Sequence, residues 1–217
     1  EAVGMKVDRF VLESVGNELD SRITDLETSI YEKAGQSFNI KSPKQLGVIL
    51  FENMGIPYPV RSKKKTGYST SVDVLEKLKD EQPIVNDILE YRKATKLKST
   101  YIDGLIALIA DDNRIHPHFN QTVAATGRIS CTEPNLQNIP IRDEYGRNIR
   151  KAFVTSDDDY TFIGADYSQI ELRILAALSG DESLINAFNN NEDIHRITAS
   201  RVFNMPLDQV TPLDRSR

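Results

Sequence analysis

The sequence predicts an α+β fold, helical over residues 1–112 and mixed, with short strands between helices, over residues 113–217. Three observations carry this. Leu12, Val15, Leu19, Ile23, Leu26 and Ile30 alternate steps of three and four, the spacing of one helix face. Near Asp112-Asn113-Arg114 that periodicity gives way to β-like pieces at Ile115 to Thr122 and Arg150 to Thr155. Finally, Tyr160-Thr161-Phe162-Ile163-Gly164-Ala165 is an apolar, β-branched and aromatic run that reads as a buried strand ending at Asp166.

Taken in order, the first stripe is expected to line a core seam and to stop at Gly35. In Ser42-Pro43-Lys44-Gln45, Ser42 suits a cap, Pro43 a first turn and Gln45 a return bond, so a second helix opens there. Gly55-Ile56-Pro57 closes it, and a shorter helix spans Val74 to Leu78. Pro83 opens a long helix whose inner face is expected to hold Ile84, Ile88, Leu97, Tyr101, Leu105 and Leu108. Asp157-Asp158-Asp159 reads as a solvated turn into the strand. Ile170, Ile174, Leu175 and Leu178 then recur at helical spacing until Gly180. Two short helices follow, Glu182 to Phe188 and Ile194 to Phe203. Thr211-Pro212-Leu213-Asp214 supplies a cap, a first-turn proline and an acid at N3. The sequence stops at Arg217, in the first turns of that helix, so a fragment is expected.

At 217 residues, 39% hydrophobic and 27% charged, the chain has the makings of an ordinary folded core. No apolar run approaches a membrane-spanning length, and the N-terminus lacks a signal-peptide pattern, so no membrane partner is expected. A single cysteine, Cys131, excludes an internal disulfide and a multi-cysteine zinc site, and suits a reducing, cytoplasmic setting. Net charge is −5, yet basic residues gather in three places. They are Arg61-Ser62-Lys63-Lys64-Lys65-Thr66-Gly67, then Arg92, Lys93, Lys96 and Lys98, then Arg142, Arg147, Arg150 and Lys151. Any one of these is an ordinary solvated surface. Three within an acidic total point to segregated charge, as a groove for a polyanion requires.

The polar residues that could carry chemistry each admit two readings. Asp166, where strand gives way to helix, can cap the helix or hold a hard divalent cation. His195 lies in the first turn of a helix that Asp193 can cap, a place that favours an anion, or it is a plain surface histidine. Arg128, Asn135, Gln137 and Asn138 have planar hydrogen-bonding ends. Those ends suit the acceptors of the minor groove, where donors test base-pair geometry without reading sequence. The same asparagines and glutamine can also hold turns.

Asp166-Tyr167-Ser168-Gln169-Ile170-Glu171-Leu172-Arg173 resembles, letter for letter, the first catalytic motif of family A DNA polymerases. Thr126-Gly127-Arg128-Ile129-Ser130-Cys131-Thr132-Glu133-Pro134-Asn135-Leu136-Gln137-Asn138-Ile139-Pro140-Ile141-Arg142 is similar to the primer-template segment that precedes that motif. It departs from the usual pattern at Ile129 and Cys131, and Cys131 is read as structural. The resemblance implies that residues 1–112 are a helical thumb and residues 113–217 a partial antiparallel-sheet palm with the start of the fingers.

The activity implied is template-directed DNA synthesis by two-metal phosphoryl transfer, with magnesium as the metal. By resemblance Asp166 is catalytic and binds metal together with the backbone carbonyl of Tyr167. Gln169, Glu171, His195 and Arg215 serve the incoming nucleotide: Glu171 beneath its sugar, excluding a ribose 2′-hydroxyl, and His195 and Arg215 at its triphosphate. Arg128, Asn135, Gln137, Asn138 and Arg142 contact primer and template, while Lys63, Lys64, Lys65, Lys96 and Lys98 are expected phosphate contacts. Partners would be primer-template duplex and deoxynucleoside triphosphates, and the protein a monomer. The family's His-Asp-Glu motif does not occur, and only the first residue of its Arg-x-x-x-Lys motif is present. The chain alone is therefore expected to be inactive. Two alternatives stand beside this: a non-catalytic duplex-DNA-binding module, and a single-subunit RNA polymerase fragment, which the sugar-excluding Glu171 disfavours.

Overall fold

A computed structural model describes residues 1–59, 67–141 and 143–216. Lys63, Lys64 and Lys65, with Arg61, and Arg142 lie outside the described residues. The fold is α+β, as expected, and divides into two compact units, Glu1–Thr161 and Phe162–Arg217. The thumb-to-palm boundary expected at residue 112 falls inside the first unit.

The first unit begins with β1 (Met5–Lys6) and the long helix α1 (Arg9–Ala34). Asp8 caps α1 by accepting from Phe10 N at 2.9 Å, and Gly35 ends it at φ 68°, a left-handed conformation that glycine adopts without steric cost. Next come α2 (Pro43–Val48), a π-helical turn at Ile49–Asn53, and α3 (Val72–Leu75). Helix α4 (Pro83–Lys96) changes winding at a π-helical stretch, Leu97–Asp103, before α5 (Gly104–Ile106). Two small antiparallel sheets follow among the described residues. In one, β1 pairs with β2 (Arg114–Ile115); in the other, β3 (His118–Asn120) pairs with β4 (Ser130–Thr132), Phe119 opposite Cys131. A 3₁₀ turn at Leu136–Asn138 leads into α6 (Glu144–Lys151).

The α1 stripe does what its spacing predicts. Leu12, Leu19, Leu26 and Ile30 are buried, serving two apolar clusters in succession. Burying such a side chain stabilises by about 1.5–3 kcal/mol. Leu26 and Ile30 join Leu46, Leu50, Leu75, Ile84 and Ile88. Leu12 and Leu19 join Tyr101, Ile102, Leu105, Ile115 and, from α6, Ile149. Gly16 lets α1 approach closely, since a Cβ there would stand 3.0 Å from Ile102 Cγ2. The long helix buries Ile84, Ile88, Leu97, Tyr101 and Leu105, but Leu108 is 44% exposed, because helix ends at Ile106 before the inner face returns to it.

Residues Arg150 and Lys151 end α6 and are not strand; only Phe153 keeps β character, as an isolated bridge to Val7. Asp143 explains the helix: its carboxylate accepts from Tyr145 N at 2.8 Å and Gly146 N at 3.4 Å, a cap that favours helix over strand.

The second unit holds α7 (Ile170–Ser179), α8 (Glu182–Asn189), α9 (Ile194–Val202), a 3₁₀ turn at Leu207–Gln209, and α10 (Pro212–Ser216). Ala176, Ala187, Phe188 and Ile194 form its core. Two expectations are corrected here. Residues 160–165 form no strand, and Ile163 is 89% exposed. A strand exists only through its partner, and among the described residues none pairs with this run. Helix α7 forms as expected, yet Ile174, Leu175 and Leu178 face outward, while Leu172 and Ala176 pack inward.

Candidate nucleotide and nucleic-acid site

The turn before α7 carries the first group of candidate residues. Asp166 and Tyr167 are exposed, four and three residues ahead of the first helical residue, Ile170. Gln169, not Asp166, holds the N-cap position, so the capping role considered for Asp166 falls away. Gln169 sits at φ 52°, ψ 41°, a left-handed conformation costly for a residue with a side chain. Its Oε1 is buried without a hydrogen-bond partner among the described residues. Arg173 holds the turn from behind, donating from Nε to Ser168 O at 2.9 Å while its guanidinium lies 4.6 Å from the Phe188 ring centroid. Glu171 is exposed in the first turn of α7, where the helix dipole favours an acid. Among the described residues no group of three His, Cys, Asp or Glu side chains could hold a metal. Asp166 and the Tyr167 carbonyl are hard oxygen donors of the right kind for magnesium, but they bring a single carboxylate.

The second group lies at the start of α9. Asp193 caps the helix, accepting from Arg196 N at 3.2 Å, and His195 is exposed in its first turn. Arg215, on α10, donates from Nε to Asp193 Oδ2 at 2.6 Å. That guanidinium holds the Asp193 carboxyl below the usual carboxylate range. The tie is therefore complete above the ordinary carboxylate pKa and is lost as pH falls through the depressed value. Arg196 adds a second link, donating from Nε to Leu207 O at 2.9 Å and from Nη2 to Asp208 O at 3.4 Å. The start of α10 is a reciprocal capping box: Thr211 N donates to Asp214 Oδ2 at 3.2 Å, and Asp214 N to Thr211 Oγ1 at 3.2 Å.

The first unit carries the remaining candidates. Asn135, Gln137 and Asn138 are exposed on the loop around the 3₁₀ turn, and Arg128 is exposed before β4. The structure shows the turn-holding reading of the loop directly. Asn135 Oδ1 accepts from Gln137 N at 3.1 Å, Gln137 Nε2 donates to Ile129 O at 3.1 Å, and Tyr101 OH donates to Asn138 O at 2.6 Å. Cys131 is buried, its thiol 3.3 Å from Pro134 O, in the structural role expected of it. Beneath the loop, a Cβ on Gly146 would stand 2.5 Å from Pro140 O. Gly146→Ala should push α6 off this segment and destabilise the chain by about 1–3 kcal/mol, read as a lower urea midpoint; an unchanged midpoint would mean the contact yields.

Lys96 is exposed, whereas Lys98 is paired with Asp103 at 2.7 Å and Asp20 at 3.4 Å. Lys93 is paired with Asp143 at 2.6 Å, and Arg92 donates to Thr70 O and, at 3.1 Å, to Thr70 Oγ1. The structure thus gathers Asp166, Tyr167, Gln169 and Glu171 in one turn and Asp193, His195 and Arg215 in another, both in the second unit. The duplex-contact candidates described are all in the first. Asp193 and Arg173 were not among the expected site residues. The cap at Asp193 was legible, but its tie to Arg215 spans 22 positions and had no local signal.

The profile of DNA polymerase family A matches residues 9–217. The chain belongs to that family. As a family A chain it is 56% identical over 212 residues to DNA polymerase I of Bacillus subtilis (strain 168), covering 97% of this chain and 24% of that protein. To DNA polymerase I of Lactococcus lactis subsp. lactis (strain IL1403) it is 53% identical over 216 residues, again 24% of that protein. The family A chain therefore spans about a quarter of the length of these relatives. Its fold matches the POL domain of Pol1 from M. smegmatis, solved in complex with DNA primer-template and dNTP. That match has a TM-score of 0.86 and 48% identity, and it covers 99% of this chain and 38% of that one.

Proposed function

We propose that this chain is part of a template-directed DNA polymerase. The observation that carries the reading is the turn that presents Asp166 to solvent at the head of α7, with Glu171 one helical residue past Ile170. Residues 1–112 act as thumb, and residues 113–217 as partial palm with the start of the fingers. The primer 3′ end and a deoxynucleoside triphosphate meet at the palm, and magnesium, when bound, neutralises charge on the reacting phosphate oxygens. Asp166 and the Tyr167 carbonyl would hold that metal. Gln169 and Glu171 serve the incoming nucleotide, Glu171 beneath its sugar, and His195 and Arg215 meet its triphosphate. Arg128, Asn135, Gln137, Asn138 and Arg142 follow primer and template, and Lys63, Lys64, Lys65, Lys96 and Lys98 contact phosphates. The protein works as a cytoplasmic monomer. Among the described residues no helix is long and apolar enough to cross a membrane.

Duplex binding tests this reading. The 217-residue chain should bind two unrelated duplexes equally and with steep salt dependence. Each phosphate neutralised adds about −0.9 to the slope of log affinity against log salt. Replacing Lys63, Lys64 and Lys65 with Ala should flatten that slope. A strong preference for one duplex, or a slope indifferent to the triple replacement, would mean that the DNA-contacting surface lies elsewhere. The isolated chain should not extend a primer in magnesium, since it brings one carboxylate to a two-metal reaction. Extension abolished by Asp166→Ala would overturn that expectation.

A further inference from the structure

We propose that Asp193 is a positioning residue for the triphosphate: it holds Arg215 by one edge and turns the rest of the guanidinium toward the nucleotide. The inference rests on the reading of Arg215 as a triphosphate contact. The grip is made at Nε, where Arg215 donates to Asp193 Oδ2 at 2.6 Å. A guanidinium offers five N–H donors in a fixed fork. A partner that takes the Nε edge leaves the far Nη group for a second anion. Among the described residues Asp193 is the one hydrogen-bond and ion-pair partner seen for that guanidinium.

The other oxygen of Asp193 is spent on the helix. Oδ1 accepts from Arg196 N at 3.2 Å, so the carboxylate joins the N-terminus of α9 to the first turns of α10. His195, in that same first turn, is exposed beside it. Asp193 therefore couples two groups that favour an anion, a helix N-terminus and an arginine, within one unit of the fold. Its charge is balanced on both sides, so it need not repel the phosphate it helps to place.

Stability is a poor explanation for the pair. The two side chains are 46% and 37% exposed, and exposed ion pairs contribute little. The links from Arg196 to Leu207 O and Asp208 O already tie the approach to α10 back to α9. What the Asp193 contact adds is the direction of one guanidinium.

Asp193→Asn separates the two duties, because asparagine caps a helix as well as aspartate does. It removes the charge that holds Arg215. In a full-length family A polymerase carrying this segment, Asp193→Asn should raise the KM for a deoxynucleoside triphosphate about tenfold, the size of one charge-assisted hydrogen bond. The kcat should barely move. In an Arg215→Ala background the same change should have no further effect on KM, and circular dichroism should show unchanged helix content in every variant.

Four other results overturn the proposal. An unchanged KM in Asp193→Asn, with a raised KM in Arg215→Ala, would make Asp193 a helix cap only. A lowered KM would make it a competitor of the triphosphate. An equal rise in both backgrounds would mean that it acts other than through Arg215. If Arg215→Ala itself leaves KM unchanged, the reading of Arg215 as a triphosphate contact fails, and this inference with it.

Discussion

Asp166→Ala, made in a full-length polymerase that carries this segment, is expected to lower kcat by about a thousandfold or more, with primer-template affinity nearly unchanged. The first half follows from the proposed metal-binding role, and the structure bears on the second. Asp166 is exposed and makes no hydrogen bond among the described residues, so its removal leaves no buried group unsatisfied. It is not the cap of α7, so the helix should persist. What is lost is the carboxylate that the proposed reading offers a hard cation. On the proposed reading, duplex affinity would arise from phosphate contacts elsewhere. Single-turnover extension and an equilibrium binding titration, run on the same variant, separate the two. Near-normal turnover would remove Asp166 from the chemistry, and a parallel collapse of DNA binding would make its role structural.

Glu171→Ala is expected to change selectivity more than speed. Discrimination against ribonucleotides should fall by about a hundredfold, with a much smaller loss in correct incorporation. The residue follows Asp166 by five positions and stands in the first turn of a helix whose entry is fixed by Arg173 and by the left-handed Gln169. A side chain so placed is carried on a rigid element, which is what exclusion of one hydroxyl requires. The measurement is kcat/KM for matched deoxy and ribo triphosphates. An unchanged ratio would leave Glu171 with no role beyond that of an acid at a helix N-terminus.

Much of the helical architecture was legible because its cause is local. The α1 stripe, the Ser42 and Asp193 caps, the stop at Gly35 and the capping box at Thr211 are each written within a few consecutive residues. Where the cause is tertiary, sequence was a poorer guide. The composition of residues 160–165 is that of a strand, but a strand needs an edge to pair with, and composition does not supply one. Helix α6 escaped notice because Tyr145 and Ile149 are nearly its whole apolar content. Its signal was the cap at Asp143. At the candidate site, the letters around Asp166 placed the candidate residues in one exposed turn before a helix. They did not reveal that Gln169 would take a left-handed conformation, or that Lys98 would be held by two aspartates.

The π-helical stretch Leu97–Asp103 bears on how the chain tolerates changes of length. A π-helix closes its hydrogen bonds one residue later than an α-helix, so each turn stores an extra residue without advancing the axis much. Ser99 and Thr100 are exposed within it, while Leu97 before them and Leu105 after them are buried in one cluster. Deleting Ser99 or Thr100 should let the stretch relax to ordinary winding and keep those flanking leucines in place. A deletion inside Pro83–Lys96 has no such slack: it turns everything beyond it by about 100° and swings the buried row out of the core. Related chains that differ by one residue in this helix should therefore gain or lose it here, and sequence alignments that place the gap elsewhere would misassign the inward-facing positions.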